Sequence, residues 1–450
     1  MTLKEKLEAQ LQGKKIALLG LGLENQSLLK LSKKLKLKLD FTICDFRAKE
    51  ILSPKLEELK LNPNNFNYRL GTKFNQNLSD FDLLFRSPGW SLNCPGLKEA
   101  KSKKVEISSP MNLFFSLCSS KNIIGVTGSK GKGTTATLVS SILKTANKTV
   151  FLGGNIGIAP LSFIDKIQAK DYIVLELSSF QLEDLNYSPK VAIITNLYKE
   201  HLSPADPNNP NYHLSFKKYI EAKANLFKNQ NQSGIFITKT ETLNLIKKHL
   251  PNTIKKHQGK TKLYQKQNLN SKLIGGYNQE NIGAALEAVK ALNIKEEIAK
   301  KVVAKFSNLE HRLEFVAEKQ GVKYFNNSFS TTPESTVLDL NSFSNNLILI
   351  AGGPDKGANF SNLAKTISQK VKAVILFPGA GSEKIKKALE KINYINISFP
   401  VNSMSEAIKI ASSQAEAKDI ALLSPACASF GLFKNYKERG NLFKEEVTKL

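Results

Sequence analysis

The stretch 123–138, "IIGVTGSKGKGTTATL", concentrates more chemistry than any other part of the chain. An apolar run leads into Gly128, Ser129, Lys130, Gly131, Lys132, Gly133, Thr134 and Thr135, and a helical pattern follows. Glycines let backbone N–H groups converge on phosphate, and the helix N-terminus adds the positive end of its dipole. Lys132 is placed to neutralise the outer phosphates, so the spacing predicts a nucleoside triphosphate loop. The alternative, a glycine-rich turn with chance lysines, explains neither the strand before it nor the helix after it. Two positions depart from the usual G-x-x-x-x-G-K-[ST] pattern. Val126 stands at the first glycine, and Gly133 stands where a hydroxyl should follow the lysine. Thr134 is therefore the expected hydroxyl for Mg²⁺, and Gly133 lets the backbone come closer to the phosphates.

Three further residues stand where they could serve such a loop. Glu176 ends the apolar run "DYIVLEL", and an acid there commonly ligates Mg²⁺ beside bound phosphate. His201 follows a second apolar run, "VAIITN". A structural histidine is the plain reading, but ligands bind at the carboxyl ends of strands in open α/β sheets. In "SFKKYIEAKANLF", Ser215 reads as a helix N-cap, and Phe216, Tyr219, Ile220 and Phe227 recur on one face together with Lys223. Lys223 either snorkels to water or is a desolvated lysine with a lowered pKa.

The elements that position these residues alternate strand and helix through all 450 residues, which predicts parallel sheets with right-handed crossovers. Three segments emerge: 1–110, 111–310 and 311–450. The first opens with "KKIALLGLGLENQS", a strand followed by a tight turn at Gly20 and Gly22, and its second strand ends at Asp45. Asn25 replaces the third glycine of a dinucleotide fingerprint, so a nicotinamide cofactor and a plain βα turn both remain open. The third segment contains "NLILIAGG", "AVILFPG" and "DIALLSPA" as strands, and "SPADPNNPNYHLS" (203–215) reads as a loop.

The formal charge is +26, which invites a nucleic-acid reading. Only five of the 65 basic residues are Arg, however, and the lysines are spread along the whole chain. Arg forks are what nucleic-acid readers favour. Solvated lysine faces that attract an acidic substrate are the expectation, with no nucleic-acid partner. No run of 18 apolar residues suggests a membrane span, and the charged N-terminal stretch has no apolar h-region, so a cytoplasmic location is expected; a monomer is a separate expectation. The four cysteines form no CxxC pair, which argues for a reduced compartment and against structural zinc.

Several of these motifs together resemble the Mur ligase family of ATP-dependent, amide-forming enzymes of peptidoglycan synthesis. The resemblance rests on "VTGSKGKGTT", "GGNIG", "LELSSFQLE", "TNLYKEHL", "YIEAKANLF", "GGYNQEN", "EHRLEFV", "AGGPDKGANF" and "LSPACASFGLFKNYKERG". It implies three domains: a Rossmann-like one for the UDP portion, a central P-loop-type ATPase, and a Rossmann-like C-terminal domain that brings the amino acid. The D-glutamate-adding members match best. By this resemblance ATP phosphorylates the carboxylate of a UDP-muramoyl substrate, and the amine of D-glutamate attacks the acyl phosphate. It also implies that Lys132 and Thr134 serve phosphate and magnesium, and that Glu176, His201 and a carbamylated Lys223 bind metal. Asn278 and Arg312 fall at ATP positions. Asp45, Arg47, Asn155, Ser178, Ser179 and Gln181 match the UDP-muramoyl substrate, and Thr331, Lys356, Ser429, Phe430 and Tyr436 match D-glutamate.

Some positions depart from the family pattern. Asn327 and Phe329 stand where it has Asp and Lys, Gly431 replaces a further carboxylate, and Glu200 replaces an Asp before the histidine. Another Mur ligase with a different amino acid is one alternative, and the folylpolyglutamate synthetases, which also join glutamate to a carboxylate, are the other. The N-terminal strand-turn segment and the "SPACASF" ending speak against them.

Overall fold

The computed structural model describes residues 1–204, 211–344, 346–355 and 357–450. Three sheets organise the described chain. The first contains β1 (Lys15–Leu19), β2 (Asp40–Asp45), β3 (Asn67–Leu70), β4 (Leu83–Arg86) and β5 (Glu106–Ser108), all parallel, in the order β3-β2-β1-β4-β5. The second contains β6 (Asn122–Thr127), β7 (Val150–Gly154), β8 (Tyr172–Glu176), β9 (Val191–Ile194), β10 (Ile235–Thr238) and β11 (Lys260–Leu263), again parallel, in the order β11-β10-β9-β6-β8-β7. The third contains β12 (Glu314–Lys319), β13 (Val322–Asn326), β14 (Leu347–Gly352), β15 (Val371–Phe377), β16 (Ile397–Ser398) and β17 (Ile420–Leu423), in the order β12-β13-β17-β14-β15-β16.

The expected α/β class therefore holds, with one local exception. β12 runs antiparallel to β13, joined through Gln320 and Gly321, both at positive φ. Such a hairpin needs only a tight turn, so it gives no helical spacing for a sequence reading to detect. A second difference concerns the helix carrying Lys223. It spans Phe216–Ala224, capped by Ser215 as expected, and so ends before Phe227, whose ring instead stacks on Phe236 at 4.0 Å.

The chain divides into two compact units, residues 1–267 with 280–302 and residues 268–279 with 303–450. The first unit holds the first two sheets, which share one apolar core reaching from Leu18 and Ile43 to Leu113, Phe114, Leu161 and Ile173. In the second unit, apolar cores cover both faces of the third sheet. Among the described residues no helix is long and apolar enough to cross a membrane.

A polar seam joins the first two sheets. Arg86, at the end of β4, is 1% exposed. It donates to Asp184 at 2.8 Å, to the Phe180 carbonyl at 2.7 Å and to the Trp90 carbonyl at 2.8 Å. Beside it, Glu24 accepts from Gln181 Nε2 at 2.6 Å, while its second carboxyl oxygen is buried without a partner. Burial pushes the Glu24 carboxyl up to about 7, and Asp184 adds to this against the Gln181 bond and Arg86.

The folded state thus keeps a proton on Glu24 that the unfolded chain has released. This penalty is absent below the unfolded pKa, grows as pH rises from about 4.5 and levels off above about 7. Glu24→Gln removes it and preserves the shape. The variant should match wild type at pH 4.5 and exceed it at pH 8 by up to about 3 kcal/mol. Urea unfolding at the two pH values checks this, and an equal offset at both refutes it.

Candidate active site

β6 is central in its sheet, with β8 and β9 on either side, so the carboxyl ends of all three strands meet. The phosphate-type loop leaves β6 there and enters the helix Lys132–Thr145. Val126 is fully buried within the strand. The glycine that the loop requires comes two residues later: Gly128 has φ +145°, and a Cβ on it would lie 2.0 Å from Thr195 Oγ1. Gly131, at φ +82°, is as constrained, since its Cβ would meet Asn281 Oδ1 at 2.0 Å. Thr195 and Asn196 fasten the loop through Lys130. Thr195 Oγ1 donates to the Lys130 carbonyl at 2.6 Å, and Asn196 Oδ1 accepts from the Lys130 N–H at 2.8 Å. These two residues were not singled out by the sequence reading, although "TN" directly after β9 carried the signal.

Lys132 folds back over the loop and donates to the carbonyls of Gly128 and Ser129, both at 2.9 Å. Lys223 meets the same Gly128 carbonyl at 2.9 Å and Thr127 Oγ1 at 3.1 Å. Of the two readings left open for Lys223, the structure selects the desolvated one: the residue is 1% exposed, with its ammonium 4.8 Å from the Tyr219 ring centroid. Burial, then the neighbouring Lys132 charge, holds its pKa well below the usual lysine range. The Tyr219 hydroxyl bridges Glu200 Oε1 at 2.6 Å and Ser129 Oγ at 2.7 Å. Burial alone would raise the Glu200 carboxyl, but Lys132, His201, Lys130 and Lys223 outweigh it and keep Glu200 ionised.

Glu176, at the end of β8, is buried. One oxygen accepts from Asn155 Nδ2 at 3.0 Å, and the other has no partner. His201 sits at the rim with φ +57° and its ring edge-on to Phe180 at 5.0 Å. Thr134 is nearly buried in the first turn of the helix, and the neighbouring Thr135 hydroxyl is buried with no partner. Ser178 caps the short helix Ser179–Leu182, with Gln181 completing the capping box. Gln181 is therefore occupied at both ends, by the Ser178 N–H and by Glu24. Ser179 pairs with a residue the sequence reading passed over, His213, whose Nε2 lies 2.9 Å from Ser179 Oγ and whose ring stacks on Phe180. Burial pushes the His213 imidazole down to about 3.

At the end of the first sheet's β2, Asp45 accepts from the Leu21 N–H at 2.9 Å and from Arg47 Nε at 2.8 Å. Burial would raise Asp45, but Arg47 and the two backbone bonds hold it below the usual carboxylate range. Asp45 thus ties the Gly20 turn to Arg47, bringing together the residues expected at the UDP portion.

In the second unit, the loops following β13, β14 and β17 leave the same edge of the third sheet. Thr331 lies on the first of these, and Ser429 and Phe430 on the last. Tyr436 opens the helix Tyr436–Thr448, and Lys356 lies outside the described residues. Arg439, 1% exposed, fastens the loops after β13 and β17 together. It donates to Ser328 Oγ at 3.0 Å, to the Ser328 carbonyl at 2.8 Å and to the Ala428 carbonyl at 3.0 Å. Asn327 gives its amide to the buried Asp339 at 2.7 Å, which Ser424 also contacts at 2.7 Å. An aspartate at 327 would set two carboxylates against each other there. Gly431 has φ +97°, a conformation unfavourable to an aspartate. Asn278 and Arg312 also belong to this unit.

Among the described residues, no three His, Cys, Asp or Glu side chains form a ready metal cluster. The buried oxygens of Glu176 and Thr135 that lack a partner are hard donors of the kind a magnesium ion beside phosphate would take.

Residues 126–289 match the Mur ligase middle domain, and residues 311–427 match the Mur ligase glutamate ligase domain. The UDP-N-acetylmuramoylalanine--D-glutamate ligase of Clostridium kluyveri is 37% identical over 456 residues, covering 96% of both chains. That of Acetivibrio thermocellus is 35% identical, covering 98% of this chain and 97% of its own. Among solved structures, the MurF ligase of Thermotoga maritima in complex with ADP superposes with a TM-score of 0.60 at 17% identity, covering 91% of this chain and 95% of its own. UDP-N-acetylmuramate-alanine ligase MurC of the same organism gives 0.58 at 18%, covering 97% and 99%. Escherichia coli FolC with ADP gives 0.54 at 15%, covering only 75% of this chain and 92% of its own. The chain belongs to the Mur ligase family.

Proposed function

We propose that this Mur ligase joins D-glutamate to UDP-N-acetylmuramoyl-L-alanine in peptidoglycan synthesis, using ATP and passing through an acyl phosphate. The observation that carries the reading is the meeting of Lys132 and the buried Lys223 on the Gly128 carbonyl. The substrate carboxylate attacks the γ-phosphoryl of ATP, and ADP leaves. The D-glutamate amine then attacks the acyl carbon, phosphate departs with its oxygen, and the amine proton is released. Such transfer needs positioning and cations more than covalent help.

The loop 128–135 and Asn278 serve the nucleotide in this reading. Thr134, Glu176, His201 and Lys223 as its carbamate would hold magnesium, which supplies charge neutralisation at the phosphates. A neutral Lys223 amine captures CO₂, forming an N–C bond and releasing a proton. The resulting anion removes the penalty of two ammonium groups sharing one carbonyl. Asp45 and Arg47 take the UDP portion, and Asn155 with Ser178, Ser179 and Gln181 frames the muramoyl end. Thr331, Lys356, Ser429, Phe430 and Tyr436 take D-glutamate. We assign the domains as 1–110, 111–310 and 311–450, and place the enzyme in the cytoplasm as a monomer.

The assay that tests the reading follows product formation from UDP-N-acetylmuramoyl-L-alanine and ATP with D-Glu, L-Glu, D-Asp or L-Lys. D-Glu should be preferred, and preference for L-Lys rejects the substrate assignment. Thr134→Ala should lose about 2 to 4 kcal/mol of transition-state stabilisation. Full activity in that variant transfers the hydroxyl role to Thr135 or water. Lys223→Ala should be nearly inactive and partly rescued by short carboxylic acids. An ammonium at Lys223 in a neutral-pH crystal structure grown with bicarbonate would sink the carbamate.

A further inference from the structure

His213 has no task in the reaction described above, yet it touches three parts of the candidate site. It lies two positions before Ser215, the cap of the helix that carries Tyr219 and Lys223. Its backbone N–H donates to the His201 carbonyl at 2.8 Å. Its Nε2 lies 2.9 Å from Ser179 Oγ. Its ring stacks on Phe180 at 4.9 Å and stands edge-on to Tyr219 at 5.4 Å.

A residue that merely fills space would not need these contacts. His201 has φ +57°, a conformation that is costly for a residue with a side chain and persists only where its surroundings enforce it. The His213 N–H supplies one enforcing bond to its carbonyl. Phe180, stacked on His213, meets the His201 ring edge-on at 5.0 Å, so the backbone and the ring of His213 both act on His201. On its other side His213 holds Ser179, the first residue of the short helix that Ser178 caps. The segment is itself anchored. Two positions earlier, Asn211 donates to the Pro88 carbonyl at 2.8 Å, in the loop that follows β4 of the first sheet.

Burial keeps the His213 ring neutral, and a neutral imidazole has one N–H and one lone pair to offer. Among the described residues Nδ1 has no hydrogen-bond partner, and Glu183 Oε1 stands 3.6 Å from it, beyond bonding range. The polar work of the side chain is therefore concentrated at Nε2, on Ser179. We propose that His213 is a positioning residue for the ligation, holding the Ser178–Gln181 turn in fixed placement relative to His201. It acts through Ser179 and Phe180 and touches no reactant. This rests on the reading that assigns the turn to the muramoyl end of the substrate.

Steady-state kinetics of the full-length enzyme separate kcat, KM for UDP-N-acetylmuramoyl-L-alanine and KM for ATP. His213→Phe keeps the ring contacts and leaves Ser179 without its partner. It should lower kcat/KM for the muramoyl substrate roughly fivefold to a hundredfold, the range for a buried polar group left unpaired. KM for ATP should stay within about twofold, because the nucleotide loop is untouched. Ser179→Ala should cost a similar factor, and the double variant should be no worse than the poorer single one, since both remove the same interaction. His213→Gln sets an amide where Nε2 lies and should recover most of the wild-type value. The amide of His213→Asn reaches only the Nδ1 position and should not. A melting curve accompanies each variant, and the Gln–Asn pair carries the test if the Phe variant folds poorly. Losses that multiply in the double variant, a matching rise in KM for ATP, or a Gln variant no better than the Asn one overturns the proposal. A wild type that consumes no UDP-N-acetylmuramoyl-L-alanine with any amino acid removes the underlying reading, and the proposal with it, before any variant is measured.

Discussion

Two lysines share one carbonyl oxygen, that of Gly128, and much of the first unit is arranged around this constraint. Ammonium groups brought together in a buried site repel each other, and each has lost water. Lys223 answers with a pKa far below its usual range, and Glu200 stays ionised among the surrounding cations. The Tyr219 hydroxyl connects Glu200 to Ser129, so the charge balance and the loop shape are held by the same side chain. A site that tolerates an amine but penalises an ammonium is chemically poised to convert it into something anionic. That property comes from burial and neighbours, and not from the lysine itself.

The loop depends on close approach. Gly128 and Gly131 leave no room for a Cβ, because Thr195 and Asn281 press against them. Rigidity of this kind keeps N–H groups aimed before any ligand arrives, which is how preorganised donors stabilise developing charge. The seam of Arg86, Asp184, Gln181 and Glu24 extends the same rigidity to the first sheet. The short helix after Glu176 is thereby fastened on both sides, to its own strand and to the neighbouring sheet.

The second unit solves a related problem with other means. Arg439 is buried with no carboxylate partner among the described residues, and burial pulls it down to about 9. Its fork is satisfied by Ser328 and by carbonyls of the facing loop, so it acts as a clamp between two chain segments. The pairing of Asn327 with Asp339 gives a physical reason for the missing aspartate at 327: the acid is already present, one helix further along.

The sequence by itself determined the alternation of strand and helix and the glycine-lysine loop after β6, and it marked Glu176, His201 and Lys223 as candidates. These are local properties, since apolar runs, glycine spacing and helical periodicity are written in consecutive residues. Ser215 as a helix cap was legible for the same reason. The antiparallel β12–β13 hairpin, the early end of the helix at Ala224, and the roles of Asn196, His213 and Arg439 were not legible. The roles of Asn196, His213 and Arg439 depend on partners far away in the chain, with His213 lying 34 residues from Ser179 and Arg439 lying 111 residues from Ser328. Only the tertiary structure decided whether Lys223 reaches water or is buried, because a helical face states which residues share a side and leaves open what covers it. The charge state of a buried group follows from that cover, through the solvent removed and the charges placed beside it.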